Sequence, residues 1–191
     1  MSIRAFIAVP LPAEVKEAIH SLGRELTEKG LRIRLVRPEG IHCTLRFLGN
    51  IPESLVEEVK GVMVKAVEGI TPTTLQTAGL GVFPNPARAR VLWVGIKGNL
   101  EPLTLVHERL QQALEPLGFE RENREFSPHL TIGRWKAPLS RGERDVLREA
   151  LESHQSWKGG EFDLRELVLY RSQLHPSGAR YTSLGRVQIE R

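Results

Sequence analysis

The chain has 191 residues, of which 40% are hydrophobic and 26% charged. That is long enough to bury a sizeable core, suits one large domain or two small lobes, and excludes disorder and membrane spanning as readings. A formal net charge of +4 suits a phosphate-bearing ligand but falls short of the bias of a duplex-DNA protein, and one cysteine excludes an internal disulfide.

The N-terminal run holds Arg4 before apolar residues, but Pro10 and Pro12 interrupt it below signal-peptide length, so a cytoplasmic address is expected. A strand is predicted at 3–9, then an amphipathic helix with Val15, Ala18, Ile19, Leu22 and Leu26 at helical spacing and Gly30 at its stop. A second strand is predicted at about 41–48, inside "GIHCTLRFLG". "GNIPE" then turns the chain into a helix with Leu55, Val59, Val62, Met63, Ala66 and Val67 on one face. The Thr-rich "TPTTLQTAGLG" reads as a strand ending in glycines.

After the turn-rich "GVFPNPARA" the order repeats: a strand at "RVLWVGI", a helix with Leu103, Val106, Leu110, Ala113, Leu114 and Leu117, a stop at Gly118, and a strand in "SPHLTIGRW". The next helix opens on the capping-box pair Ser140 and Glu143 and turns Val146, Leu147, Ala150 and Leu151 inward. "FDLRELVLY" and "ARYTSLGRVQI" supply two closing strands.

This doubled order predicts an α+β fold: a single bilobal unit over 1–191, with structural repeats at 1–82 and 88–170 and a closing strand at 180–190. The lobes are expected to be related by a pseudo-twofold axis, with antiparallel or mixed sheets, outer helices and a central cleft. A doubly wound parallel sheet is the weaker alternative, because no glycine-rich phosphate loop follows the first strand.

His-x-Thr occurs twice, at His42/Thr44 and His129/Thr131, in matching places of the two repeats. Successive strand residues alternate faces, so each histidine shares a face with its threonine, roughly 7 Å along the strand. Two imidazoles across a cleft suit a reaction that takes one proton and gives another, such as in-line attack on phosphorus with departure of an alkoxide. The hydroxyls can donate to non-bridging phosphoryl oxygens as charge builds there. This chemistry leaves open which histidine is acid and which is base.

"HCTL" and "HLTI" resemble the paired HxTx motifs of the two-histidine phosphoesterase superfamily. "RPEGIHCTLRFLGNI", "FSPHLTIGR", "GVFPNPARARVLWVGI" and "LVLYRSQLHPSGARY" are similar to its bacterial and archaeal RNA 2′,3′-cyclic phosphodiesterase branch, also called 2′-5′ RNA ligase. The resemblance implies a bilobal fold and hydrolysis of a 2′,3′-cyclic phosphate to a 2′-phosphomonoester without a metal or other cofactor. It implies His42 as proton donor to the leaving 3′ oxygen, His129 as the base that activates water, and ATP-independent 2′-5′ ligation when a 5′-hydroxyl replaces water. The expected partners are RNA ends or nucleoside 2′,3′-cyclic phosphates, tRNA fragments among them, acted on by a monomer. The rival readings are the same chemistry on 2′-5′ oligonucleotides or nucleotide-sugar cyclic phosphates, and a noncatalytic RNA-end binder.

Three further residues are candidates for substrate binding. Arg134 matches an active-site arginine of that family, although strict alternation from His129 points it away unless a bulge near Gly133 redirects it. Arg46 shares the His42 face by alternation but lies roughly 13 Å along, within reach of a neighbouring phosphate or solvated at the strand end. Phe83 can stack on a base at the cleft edge or pack between the lobes. Arg88 and Arg90 read as a basic rim or an exposed strand face. His20, His107, His154 and His175 lack the motif and read as structural or surface residues, and Cys43 as a small buried apolar one.

Overall fold

The computed structural model describes residues 1–190. Strand β1 (Ser2–Val9) buries Ile3, Ala5, Ile7 and Val9 on one face and sets Arg4, Phe6 and Ala8 on the other. It lies between β3 (Cys43–Pro52) and β8 (Glu166–Gln173), and β9 (Arg180–Gln188) closes a four-stranded sheet of order β3-β1-β8-β9. The second sheet has the order β2-β6-β5-β4-β7, from β2 (Arg34–Leu35), β4 (Thr73–Phe83), β5 (Val91–Gly98), β6 (His129–Arg134) and β7 (Glu161–Leu164). Every strand pair is antiparallel, which settles the choice left open between antiparallel and mixed sheets.

The four helices are α1 (Ala13–Glu28), α2 (Val56–Val67), α3 (Glu101–Leu114) and α4 (Arg141–Ser153). The predicted stops hold, with Gly30 at φ 113° and Gly118 at φ 90°, conformations that glycine adopts without a Cβ penalty. Helix α1 packs on β2 and β6, α4 on β4, α3 on β3, and α2 on α3 and β9. At Gly23, α1 comes so close to the sheet that a Cβ would stand 2.7 Å from side-chain carbons of Ile132 and Leu35.

These contacts show that the halves of the chain are not the lobes. Residues 1–82 place β1, β3 and α2 on the first sheet but send α1, the short β2 and β4 to the second. Residues 88–170 place β5, β6, β7 and α4 on the second sheet but send α3 and β8 to the first. Each half gives one helix and one long strand to the other lobe, and the strand order β3-β1-β8-β9 maps onto β6-β5-β4-β7.

Two local readings are corrected. "GNIPE" does not end the strand at Leu48: β3 runs on to Pro52, pairing Ile51 with Ile3, and a single helical turn, Glu53–Leu55, leads into α2. "FDLRELVLY" is not one strand, because β7 pairs with β4 in one sheet and β8 pairs with β1 in the other, with Arg165 between them. Alternation breaks at the consecutive polar pair Arg165 and Glu166, but that break does not say which sheet either part joins.

The capping box at α4 does more than end a helix. Ser140 Oγ accepts from the Glu143 amide at 3.2 Å, and the Glu143 carboxylate accepts from the Ser140 amide at 3.0 Å, the Arg32 amide at 3.0 Å and Arg32 Nη2 at 3.2 Å. Burial pushes this carboxyl up, but the hydrogen bonds from Ser140 and Arg32 outweigh it and hold the pKa at about 2. Because the folded-state pKa is depressed, the stabilisation is present above the unfolded value of about 4.3 and is lost as pH falls toward 2. Glu143→Gln is expected to cost about 1–3 kcal/mol near neutral pH in urea unfolding. The difference from wild type should shrink progressively below about pH 4.3.

Candidate active site

His42 immediately precedes β3 and His129 is the first residue of β6, so both histidines stand at the opening of their strands. Downstream, each strand breaks register one residue after its motif threonine. Thr44 pairs with Ala8 and Arg46 with Ile7, so Leu45 is extra; Thr131 pairs with Trp93 and Gly133 with Leu92, so Ile132 is extra. Leu45 and Ile132 are both buried. A bulge inserts one residue and inverts the alternation beyond it.

The inversion decides the two arginines. Arg134 pairs with Val91, two residues from Trp93, and so lies on the same face as Thr131 and lines the cleft. The redirecting bulge sits at Ile132, beside the expected position. Arg46 moves the opposite way: it pairs with Ile7, whose side chain is in the core, and turns from the His42 face that strict alternation gives it, while still bordering the cleft. It is 5% exposed, with Nη1 3.0 Å from Glu122 Oε1 and Nη2 donating to the Glu120 carbonyl, so the solvated reading does not hold. Phe47 takes the cleft position instead, opposite Phe6 and 55% exposed.

The two imidazoles sit in aromatic pockets. His42 stacks on Phe6, with centroids 4.6 Å apart and planes at 23°, and meets Tyr181 edge-on at 5.3 Å. Burial, with a smaller contribution from the Lys16 charge, pushes its pKa down to about 4, against an opposing hydrogen bond to the Gly40 backbone. His129 meets Phe83 edge-on at 4.8 Å and Trp93 at 6.2 Å. Burial lowers its pKa and Arg134 adds to this, while the Ser127 backbone acts the other way. The Ser127 carbonyl lies 2.7 Å from His129 Nδ1, and a carbonyl only accepts. Nδ1 therefore carries the proton, and in the neutral ring Nε2 is free to accept one.

His42, Thr44, His129, Thr131 and Arg134 all line one cleft of about 1070 Å³, and β3 contacts β6 directly. Phe83 lines the same cleft while packed on His129. Neither Thr44 nor Thr131 uses its hydroxyl in a hydrogen bond among the described residues. Arg4, Arg90, Arg124 and Arg134 also line the cleft, none with a carboxylate partner among the described residues. No three His, Cys, Asp or Glu side chains among the described residues converge to hold a metal ion. Two neutral imidazoles, two free hydroxyls and unpaired guanidinium groups can hold a phosphate ester and move protons on either side of it.

Residues 11–176 match the 2′-5′ RNA ligase superfamily. The chain belongs to the 2′-5′ RNA ligase superfamily. Relatives named RNA 2′,3′-cyclic phosphodiesterase include one from Methanothermobacter thermautotrophicus, 33% identical over 184 residues, covering 96% of this chain and 97% of that one. Another, from Thermotoga maritima, is 30% identical over 188 residues, covering 98% and 96%. The fold is that of TT0787 of Thermus thermophilus, with TM-score 0.79, 28% identity and 98% of both chains covered. It is also that of E. coli LigT complexed with 3′-AMP, with TM-score 0.76, 23% identity and the whole of both chains covered.

Among the residues lining the cleft, Arg4, Phe6, Phe47, Arg124 and Tyr181 escaped the sequence reading. Arg4 and Phe6 were detectable, since they alternate with the buried Ile3 and Ala5 and so share a face. Tyr181 reaches His42 from β9, far along the chain, and carries no local signal. The other four histidines keep structural contacts: Nδ1 of His20 bonds Val36 O at 3.1 Å, that of His107 bonds Leu45 O at 3.0 Å and that of His154 bonds Ala150 O at 2.8 Å, while His175 pairs with Ser177. Burial pushes the Cys43 thiol up to about 12, which leaves it an inert apolar residue.

Both motif imidazoles are held neutral near pH 7 and must gain charge at the expense of burial. In substrate-free protein, nuclear magnetic resonance titration is expected to place His42 near pH 4 and His129 below the free-imidazole value. Adding a nucleoside 2′-monophosphate should raise both values, because the anion favours imidazolium. Values that stay unchanged on saturation would separate the histidines from the phosphate.

Proposed function

We propose that this protein is an RNA 2′,3′-cyclic phosphodiesterase in which His42 and His129 are the proton carriers and Thr44 and Thr131 bind the phosphate. The observation that carries the reading is the convergence of both His-x-Thr pairs, with Arg134, on a single cleft. The names of relatives at 33% and 30% identity over nearly the whole chain support the substrate.

In the proposed reaction, His129 Nε2 takes a proton from water while the water oxygen bonds to phosphorus. The P–O3′ bond breaks, and His42 as imidazolium gives its proton to the departing 3′ alkoxide, leaving a 2′-phosphomonoester and a free 3′-hydroxyl. Two features support this direction. The Nδ1–H bond to Ser127 leaves His129 a free Nε2, and the nearby Arg134 charge disfavours a proton there. His42 gains its proton when the cyclic phosphate anion arrives to pair with it. A ribose 5′-hydroxyl in place of water gives a 2′-5′ linkage by the same two transfers.

The unpaired arginines suit an RNA end, Phe83 supports stacking on a base, and Arg46, at the cleft wall, has its guanidinium taken up by Glu120 and Glu122. Residues 1–191 act as one bilobal unit, because the exchanged elements leave neither half a complete lobe. Both motifs come from one chain, which supports a monomer. Among the described residues no helix is long and apolar enough to cross a membrane. A cytoplasmic protein is the reading we adopt, supported by a lone buried thiol.

A 2′,3′-cyclic phosphate end should be opened to the 2′-phosphomonoester, and turnover should survive exhaustive chelation. His42→Ala and His129→Ala are each expected to lower kcat about 100- to 10,000-fold in folded protein. Binding without turnover would make the protein an RNA-end binder, and near-normal turnover of either alanine variant would end the two-histidine mechanism. Thr44→Val and Thr131→Val should each lower kcat about 10- to 1,000-fold, since each deletes one donor to developing charge. Their pH optimum should stay in place, because a hydroxyl is not a titrating group near neutrality.

A further inference from the structure

Five polar or charged side chains are buried among the described residues: Arg46, Thr77, His107, Gln111 and Glu143. Three of them, Arg46, His107 and Gln111, converge on residues 119–128, the segment between α3 and β6. Arg46 binds the Glu122 carboxylate and the Glu120 carbonyl. Gln111 Nε2 donates to the Glu122 carbonyl and Gln111 Oε1 accepts from the Glu122 amide, both at 3.5 Å. His107 stacks flat on Phe126 at 4.0 Å and 8°, and its Nδ1 donates to the Leu45 carbonyl at 3.0 Å.

This concentration needs a reason, because a guanidinium loses much of its hydration on burial and a core position filled by an apolar side chain avoids that cost. The segment ends at Ser127, whose carbonyl accepts the His129 Nδ1 proton, so its placement sets which ring nitrogen of His129 is free. Arg46 stands two residues after Thr44 on the first motif strand. One guanidinium thus ties the first motif's strand to the run-in of the second motif. Arg46 borders the cleft, but both its Nη atoms are engaged by protein acceptors and its Nε is buried without a partner, so the guanidinium is held by the protein.

We propose that Arg46 is a positioning residue, which acts through residues 120–127 to hold the Ser127 carbonyl and thereby the tautomer and orientation of His129 relative to His42 and Thr44. The inference rests on the proposed phosphodiesterase reading for its consequence in turnover, and on the geometry alone for its consequence in the ring.

The test compares Arg46→Ala, Arg46→Lys and Glu122→Ala with wild type. Glu122 is 41% exposed, so its truncation leaves the core intact and keeps the proposal testable if Arg46→Ala does not fold. In substrate-free protein, ring-nitrogen chemical shifts of His129 should show one protonated Nδ1 in wild type and a mixture of tautomers in Arg46→Ala and Glu122→Ala. The ring faces the Arg134 charge from its own strand and the uncharged Phe83 and Trp93 from β4 and β5, so loss of the Ser127 bond should lower its titration point further. With a cyclic phosphate substrate, Arg46→Ala should lower kcat about 10- to 100-fold with KM changed less than about threefold, the pattern of a displaced catalytic group. Arg46→Lys should recover part of the loss, since lysine keeps the charge but lacks the fork that meets two acceptors. Wild-type tautomer and kcat in folded Arg46→Ala and Glu122→Ala, with only thermal stability lowered, would make the cluster purely structural and overturn the proposal. A raised KM with unchanged kcat would overturn it too and return Arg46 to substrate binding. If wild type does not turn over the substrate, the ring nitrogens still decide the question.

Discussion

Each motif strand must satisfy two surfaces with one alternating row of side chains: a helix-covered core on one face and an open cleft on the other. Strict alternation would turn Arg134 away from the cleft in β6 and point the Arg46 side chain straight into it in β3. An inserted residue after each threonine resolves the conflict, with Leu45 and Ile132 turned into the core. His42 and Thr44, like His129 and Thr131, keep their shared face upstream, and the residue five beyond each histidine arrives at the cleft. That residue is Phe47 in one strand and Arg134 in the other, so a symmetric frame holds an asymmetric site. Gly23 completes the arrangement, since only a side chain reduced to hydrogen lets α1 close over Ile132.

The exchange of elements between the halves ties the two lobes together through chain crossings. A lobe made from one half alone would meet its partner only at a surface; here α1 and β4 of the first half, and α3 and β8 of the second, are built into the opposite lobe. Separating the two halves of the chain would therefore require breaking strand pairs within both sheets. The segment between α3 and β6 crosses from one lobe to the other, and it is where buried Arg46, His107 and Gln111 gather.

The electrostatics follow from that enclosure. Aromatic walls strip water from both imidazoles and hold them neutral in the absence of ligand. Unpaired guanidinium groups around the rim favour an anion, and a bound phosphate supplies the charge that lets an imidazole keep a proton. In the proposed reaction the acid is thus armed by its own substrate, while the Ser127 carbonyl fixes the tautomer of His129 beforehand.

The sequence by itself determined the alternating order of strands and helices, the helix stops at Gly30 and Gly118, the capping box at Ser140 and Glu143, and the doubled His-x-Thr pairs. All of these rest on interactions within a few residues: side-chain period, a positive φ, a cap. Only the tertiary structure decided which sheet each element joins, because β-pairing partners far apart in sequence leave no local mark; the break at Arg165 and Glu166 in "FDLRELVLY" does not reveal that its two parts serve different sheets. Bulges too are set by the partner strand's register, which is why Arg46 and Arg134 exchanged the faces that alternation assigned them. Tyr181 and Phe6 became neighbours of His42 for the same reason. Local physics fixed which residues could do the chemistry, and long-range pairing fixed which of them meet.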